Sequence, residues 1–355
     1  MKLLYLYSAY RGDKLERVAR GELSDNQFYG LLRLRKYGIN TAYVELEHYM
    51  PRAVASWLRH HILRVYLSHL PLFPAFFSND VVFHVNSFSS QLLWILFGVT
   101  KPKWVLYDYS LTGFLGDLAT WRQKLLSFII RHSSGIVTIS EEEKNRLELR
   151  FPMLRGKIEY IPYGTDTEYF RPRDVQEKNQ ILSVGLDPGR DYPTLFAALE
   201  GLPVRLLVTR SHRVKRFPRA LPSNVEVRRL SEEELLDEYA ASKIVVLPLN
   251  TAGGTNDSMG ISTLVEAMAM GKAVIASKTF AMESYIRSGE TGILVAQKSV
   301  PELRSAIRRL LEDDELRARL GAQARAYAVE QCDAEHVARR MAVFFNRYKP
   351  TPKHL

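Results

Sequence analysis

The residues best suited to chemistry in this 355-residue sequence stand together between Gly253 and Ala269. The run Gly253-Gly254-Thr255-Asn256-Asp257-Ser258-Met259-Gly260-Ile261-Ser262-Thr263-Leu264-Val265-Glu266 follows the apolar stretch Ile244–Leu247, which reads as a strand ending at Pro248. A glycine- and hydroxyl-rich loop between a strand and a helix can bind an anion. The helix N-terminus presents unpartnered N–H groups and the positive end of its dipole. Gly260 lets a bulky anion approach the backbone, and the Ser262 and Thr263 hydroxyls can donate to phosphate oxygens. An ordinary capped helix after a loop has the same local composition. Glu266 adds something a cap does not need. It is a carboxylate one turn into the helix, among Leu264, Val265, Ala267 and Met268, where it could accept hydrogen bonds from ribose hydroxyls or form a structural ion pair. Two arginines could clamp a diphosphate: Arg190 in Gly189-Arg190-Asp191-Tyr192, and Arg210 at the end of the strand Val204–Val208. A guanidinium fork can hold two phosphate oxygens at once. Arg213, Lys215, Arg216 and Arg219 read as solvated surface.

These residues require a scaffold, and the sequence alternates strand and helix signals along its whole length. Lys2–Tyr7, Asn40–Leu46, Val81–Val85, Trp104–Tyr107, Gly135–Ile139 and Lys157–Pro162 read as strands, with a helix expected over Asp25–Tyr37. Ser140 suits an N-cap, and the acids that follow it suit the positive helix end. After a polar stretch, Asp174–Asn179, the alternation begins again. Strands are expected at Gln180–Val184, Val204–Val208, Val225–Val227, Ile244–Leu247, Ala273–Ile275 and Gly292–Val295. Helices are expected at Tyr192–Leu199, Glu232–Ala241 and Ser262–Met270, with a short element around Glu283–Ile286 and two or three closing helices. Such alternation means an α/β fold of two doubly wound parallel sheets, with a cleft expected between them. The expected domains are 1–172, 173–333 and a terminal helix, 334–355, packing back toward the first.

The remaining composition narrows the class. With 46% hydrophobic residues the chain is long enough for two cores, and its charged fraction of 25% argues against wholesale disorder. The single cysteine, Cys332, cannot form an intramolecular disulfide, which suits a reducing cytoplasm. No apolar run approaches the roughly 20 residues a membrane span needs; Leu92–Val99 is the longest candidate. The apolar N-terminus reads as a first strand and not as a signal peptide. The net charge of +10 suggests an anionic partner. Arg52–Phe77 carries Arg52, Arg59, His60, His61, Arg64 and His69 among Trp57, Ile62, Tyr66, Phe73 and Phe77, with no acid. Such a segment can lie on an anionic membrane surface, here the inner face of the cell membrane, or pack as a surface helix with solvated arginines. No nucleic-acid-binding motif accompanies the charge.

Several motifs, in order, resemble the retaining GT-B glycosyltransferases of glycosyltransferase family 4. They are Ser262-Thr263-Leu264-Val265-Glu266-Ala267-Met268-Ala269-Met270-Gly271-Lys272-Ala273-Val274-Ile275, the later Glu283 and Gly289-Glu290-Thr291-Gly292, Ile161-Pro162-Tyr163-Gly164-Thr165-Asp166, and Ser183-Val184-Gly185. The resemblance covers residues 133–345 by motif and the first 130 only by pattern. It implies two Rossmann-like domains, with the C-terminal one binding a UDP- or GDP-sugar through Gly185, Arg190, Arg210, Ser258, Met259, Gly260, Ile261, Ser262, Thr263 and Glu266. It implies transfer with retention, no cofactor beyond the donor substrate, and no metal; Asp257 stands outside any carboxylate cluster. It also implies a glycan, lipid-linked or small-molecule acceptor held by the N-terminal domain. His84, Asn86 and Asp108 are the candidates there, with Arg190, Glu266 and Asp108 as candidate catalytic residues. His84 also reads as a core histidine, and Asp108 as a helix cap. Two positions depart from the family pattern: Ser258 stands where a glutamate is usual, and Leu186 follows Gly185 where arginine is usual. A nucleotide-sugar epimerase, a phosphorylase or an inactive binding subunit on the same plan are the alternatives.

Overall fold

The computed structural model describes residues 1–7, 9–63, 67, 69–116, 119–185, 189–209, 221–251 and 256–349. Two compact units emerge: Met1–Pro162 together with the segment from Val337, and Tyr163–His336. Each is built on a six-stranded, all-parallel sheet.

In the first unit the strands are β1 (Lys2–Leu6), β2 (Asn40–Tyr43), β3 (Val81–His84), β4 (Lys103–Asp108), β5 (Gly135–Thr138) and β6 (Ile158–Tyr160), in the spatial order β2-β1-β3-β4-β5-β6. The helices between them are α1 (Gly12–Ala19), α2 (Arg52–Leu58), α3 (Phe88–Leu96), α4 (Leu111–Leu115), α5 (Trp121–Arg131) and α6 (Glu141–Arg150). Val81, Val82 and Phe83 are all buried, as expected of a parallel strand covered on both faces. Ser140 caps α6 by accepting the Glu143 N–H, and Thr120 forms a capping box with Gln123 at α5.

The second unit holds β7 (Lys178–Ser183), β8 (Arg205–Thr209), β9 (Val225–Arg228), β10 (Ser242–Leu247), β11 (Ala273–Ser277) and β12 (Ile293–Val295), in the order β12-β11-β10-β7-β8-β9. Its helices are α7 (Tyr192–Leu199), α8 (Glu232–Ala241), α9 (Ile261–Ala269), α10 (Phe280–Glu283), α11 (Val300–Glu312) and α12 (Asp314–Gln331). The last helix, α13 (Ala334–Asn346), contributes from Val337 onward to the first unit. There Phe345 meets Phe83 edge-on at 5.3 Å, and Arg340 donates to the Tyr160 carbonyl at 2.6 Å.

One expected helix is absent. Asp25–Tyr37 contains two short 3-10 turns, Asn26–Phe28 and Leu34–Tyr37, because Tyr29 and Gly30 between them take φ of 50° and 83°. No right-handed helix continues through such angles. The spacing of Phe28, Leu31 and Leu34 was a burial signal: all three are in the core.

The boundary also differs from 172/173. Residues 163–172 belong to the second unit because its residues satisfy their backbone. The Tyr163 N–H donates to Tyr285 Oη at 2.9 Å, and the Thr165 N–H donates to the Cys332 carbonyl at 2.8 Å. Arg325 Nη1 reaches the carbonyls of Thr167, Phe170 and Ala269 at 2.9, 3.0 and 2.7 Å. Carbonyls brought inside must be paired, so this guanidinium ties the segment down. Arg325→Ala is expected to lower stability by about 2–3 kcal/mol, since hydrogen bonds from a charged donor contribute about 1.5–3 kcal/mol each and are not additive here. Urea unfolding of wild type and variant measures this.

Candidate functional site

Doubly wound sheets bind ligands beyond the carboxyl ends of their strands, where the chain reverses its direction across the sheet. In the second unit that reversal lies between β7 and β10, which are neighbours although β8 and β9 intervene in sequence. The loops leaving these two strands are stitched together. Arg190 and Leu249 form an antiparallel bridge, the Asp191 N–H donates to the Pro248 carbonyl at 2.9 Å, and the Asn250 N–H donates to the Gly189 carbonyl at 2.9 Å. Leu249 N–H is held in turn by Ser277 Oγ, at the end of β11, at 2.9 Å.

Arg190 is only 7% exposed. Its guanidinium lies between two glycines. A β-carbon at Gly185 would stand 2.0 Å from Arg190 Nε, and one at Gly260 would stand 3.1 Å from Nη2. Any side chain at 185 would therefore displace the guanidinium. Gly260 has a second reason to be glycine: it is the N-cap of α9 with φ 81°. No side-chain cap closes that helix start. Its first turn therefore presents N–H groups beside a buried arginine, an arrangement suited to a diphosphate.

Around this core the expected residues divide. Ser258, Met259, Ile261 and Thr263 are buried, while Ser262 is half-buried. Met259 packs against Gly189, where a β-carbon would stand 2.3 Å from its Cε. The Ser258 N–H donates to Asn256 Oδ1 at 2.9 Å, and Thr279 Oγ1 donates to the Asp257 carbonyl at 3.1 Å, so the end of the loop is tied down. Glu266 is half-buried and accepts from Tyr239 Oη at 3.4 Å. The structure thus brings Gly185, Arg190 and Gly260 together at the start of α9, with Glu266 on that helix. Arg210, the cluster from Arg213 to Arg219, Leu186-Asp187-Pro188 and Gly253-Gly254-Thr255 lie outside the described residues. Among the described residues no group of three or more His, Cys, Asp or Glu could hold a metal ion.

In the first unit the reversal falls between β1 and β3. His69 spans it. Its Nε2 bonds the Tyr7 carbonyl at 2.9 Å and its Nδ1 bonds Ser87 Oγ at 2.8 Å, and burial holds its pKa down to about 4. The expected acceptor residues are mostly turned to structural work. His84 is 1% exposed, with Nε2 on Gln91 Oε1 at 3.1 Å and Nδ1 accepting the Ser87 N–H at 3.1 Å. Burial, and then His69, hold its pKa down to about 3, so it is a neutral core histidine. Asp108 is 2% exposed and accepts the Leu111 N–H at 2.8 Å, which secures the start of α4. Burial, and then neighbouring Glu143, push its carboxyl well above the ordinary range. Asp108 therefore anchors the start of α4, the helix-capping reading that the sequence also offered. Asn86 remains half-buried beyond β3.

The model for "Glycosyl transferases group 1" matches residues 221–327, and the model for "Glycosyltransferase Family 4" matches residues 31–169. A D-inositol 3-phosphate glycosyltransferase of Rhodococcus erythropolis is 28% identical over 61% of this chain and 56% of its own length. An MMP alpha-(1->4)-mannosyltransferase of Mycolicibacterium hassiacum is 24% identical over 62% and 55%. The chain thus spans about half the length of the curated relatives it matches. Among solved structures, sucrose-phosphate synthase of Thermosynechococcus elongatus superposes with a TM-score of 0.70 at 18% identity, covering 98% of both chains. HepE of Anabaena in complex with UDP-glucose superposes at 0.68 with 15% identity, over 98% of this chain and 100% of its own. These likenesses show the fold.

Glu45, just beyond β2 and within the stretch expected as a strand, carries no spacing signal in the sequence. It is 4% exposed, and its Oε1 accepts the Arg11 N–H at 2.6 Å. Burial pushes its carboxyl up from 4.5 to about 7. The folded chain thus holds this proton more tightly than the unfolded one, so Glu45 makes stability fall as pH rises from about 4.5 to about 7. Glu45→Gln is expected to remove that part of the pH dependence and to be relatively more stable at pH 8 than at pH 4. Denaturant titrations at both pH values check it.

Proposed function

We propose that this chain, whose residues 31–169 and 221–327 match the models for glycosyltransferase family 4 and for glycosyl transferases group 1, transfers a sugar from a UDP- or GDP-sugar to an acceptor, with retention at the anomeric carbon. The observation that carries this reading is the buried Arg190 guanidinium set against Gly185 and against Gly260 at the uncapped start of α9. Breaking the bond between the anomeric carbon and the diphosphate oxygen leaves negative charge on the phosphate and an oxocarbenium-like sugar. N–H groups and a guanidinium that are already in place stabilise that charge where it develops, without reorganising. Glu266 accepts hydrogen bonds from the ribose, which fixes the nucleoside half. Ser258 brings a small hydroxyl where a carboxylate is usual in the family, so the sugar is held with one charge fewer.

The acceptor is a glycan, lipid-linked or small molecule held by the first unit. We propose peripheral contact with an anionic membrane through Arg52–Phe77, in a form altered from the charge pattern. Arg59 bonds Glu47 at 2.7 Å with its side chain 18% exposed, and Arg52 pairs with Asp13. These arginines are engaged, and Arg64 lies outside the described residues. Beside the exposed Arg52, His60 and His61, the segment exposes apolar Val54, Trp57, Ile62, Leu67 and Phe77. Leu96 and Phe97 are also exposed, and Phe97 adjoins Phe77 through Phe73. No helix among the described residues is long and apolar enough to cross a membrane.

Release of UDP or GDP from a panel of sugar nucleotides tests the activity. Arg190→Ala and Glu266→Ala are each expected to lower turnover by about 100-fold or more, the scale of losing one stabilising donor or one positioning group. Wild type that turns over no donor would refute the enzyme reading and favour a binding subunit. For the surface, co-sedimentation with phosphatidylglycerol vesicles should fall about tenfold in Trp57→Ser/Phe77→Ser, from the apolar area withdrawn. Unchanged sedimentation removes the membrane from the proposal.

A further inference from the structure

Two charged groups of the candidate site, Arg190 and Glu266, lie near one buried phenol. Tyr239, on α8, is 0% exposed, and its Oη donates to Glu266 Oε2 at 3.4 Å. We propose that Tyr239 is a positioning residue: by holding the Glu266 carboxylate in one orientation it lets this protein distinguish a ribonucleotide from its deoxy form. The inference rests on the nucleotide reading given above and adds to it the residue that governs recognition of the ribose.

The geometry supports a directed role. A glutamate has several side-chain torsions, and a half-buried carboxylate without a fixed donor samples more than one of them. The phenol supplies one fixed donor. Burial first, then the Glu266 charge, raise its pKa well above the ordinary 10, so the proton stays on the oxygen and the direction of donation is fixed. The Arg190 charge acts on the same phenol in the opposite sense, which places the diphosphate-facing cation within electrostatic reach of it. A buried tyrosine needs some partner for its hydroxyl, and a backbone carbonyl would serve. Here the partner is a carboxylate that is half open to the ligand.

Tyr239 is itself fixed by its neighbour. Glu238 accepts from Gln180 Nε2 at 2.6 Å, from Lys178 Nζ at 3.1 Å and from Arg228 Nη2 at 2.5 Å. The Glu238 carbonyl accepts from Ser242 Oγ at 2.6 Å. Burial opposes ionisation of Glu238, yet the bonds from Gln180, Lys178 and Arg228 hold its pKa below the usual value. This knot ties the end of α8 to β7, to β9 and to the start of β10. A continuous set of contacts thus runs from the sheet through Glu238 and Tyr239 to Glu266.

Calorimetric titration of the full chain with UDP and GDP, and with their 2′-deoxy and 3′-deoxy forms, tests the proposal. Wild type is expected to bind one ribonucleotide more tightly than at least one of its deoxy forms. Tyr239→Phe keeps the ring and removes only the hydroxyl. It should weaken the ribonucleotide about 3- to 10-fold, the scale of one hydrogen bond to a charged group, and leave that deoxy form within about twofold. Adding Glu266→Gln to Tyr239→Phe should lower ribonucleotide affinity less than it does in wild type, because the two act through one contact. Unchanged binding by Tyr239→Phe, or equal losses for the ribo and deoxy forms, overturns the positioning role and leaves the nucleotide reading standing. Wild type that binds none of these nucleotides overturns both.

Discussion

A guanidinium is costly to bury, and the backbone of the second unit is shaped to seat that of Arg190. The residue stands where the chain reverses across the sheet, bridged to Leu249 on the loop from the neighbouring strand. Two glycines give it room, one of them able to take the left-handed conformation that starts α9. A larger residue at either position would crowd the guanidinium.

The first unit has a different strand order, its reversal falling between its first and third strands rather than its first and fourth, and a different edge. Its reversal is spanned by a neutral histidine, His69, bonded to the loops after β1 and β3. Around it stand aromatic residues: Tyr29 lies against Tyr107 at 4.9 Å between centroids, and Tyr107 meets Tyr109 at 5.1 Å. The carboxyls of Asp108 and Glu45 are buried there and pushed upward. One sheet edge therefore carries a buried cation beside helix N–H groups, and the other aromatic rings and buried polar groups.

The net charge of +10 gains meaning only through its partners. Arg59 is taken up by Glu47, Arg325 by three backbone carbonyls, and Arg228 by Glu238 and Glu226. A run of basic residues uninterrupted by acids in sequence can still be neutralised by acids from another segment, as Glu47 does for Arg59. What such a run leaves on the surface here includes large apolar side chains.

The sequence by itself determined the alternation of strand and helix, the limits of α7 and α8, and the cap Ser140. These follow from short-range physics: hydrophobic period and cap chemistry. Only tertiary structure decided the rest, because it turns on groups far apart in the chain. Tyr29 and Gly30 broke an expected helix whose apolar residues were buried regardless. Arg325 assigned residues 163–172 to the second unit from more than 150 positions away. His84 and Asp108 lie at strand ends, where sequence suggests a site, but Gln91, Ser87 and the start of α4 engaged them first. Tyr239 could not be singled out before α8 was seen beside α9. A hydrogen bond needs two atoms within about 3.5 Å, and sequence spacing predicts that distance only within one turn or one strand pair.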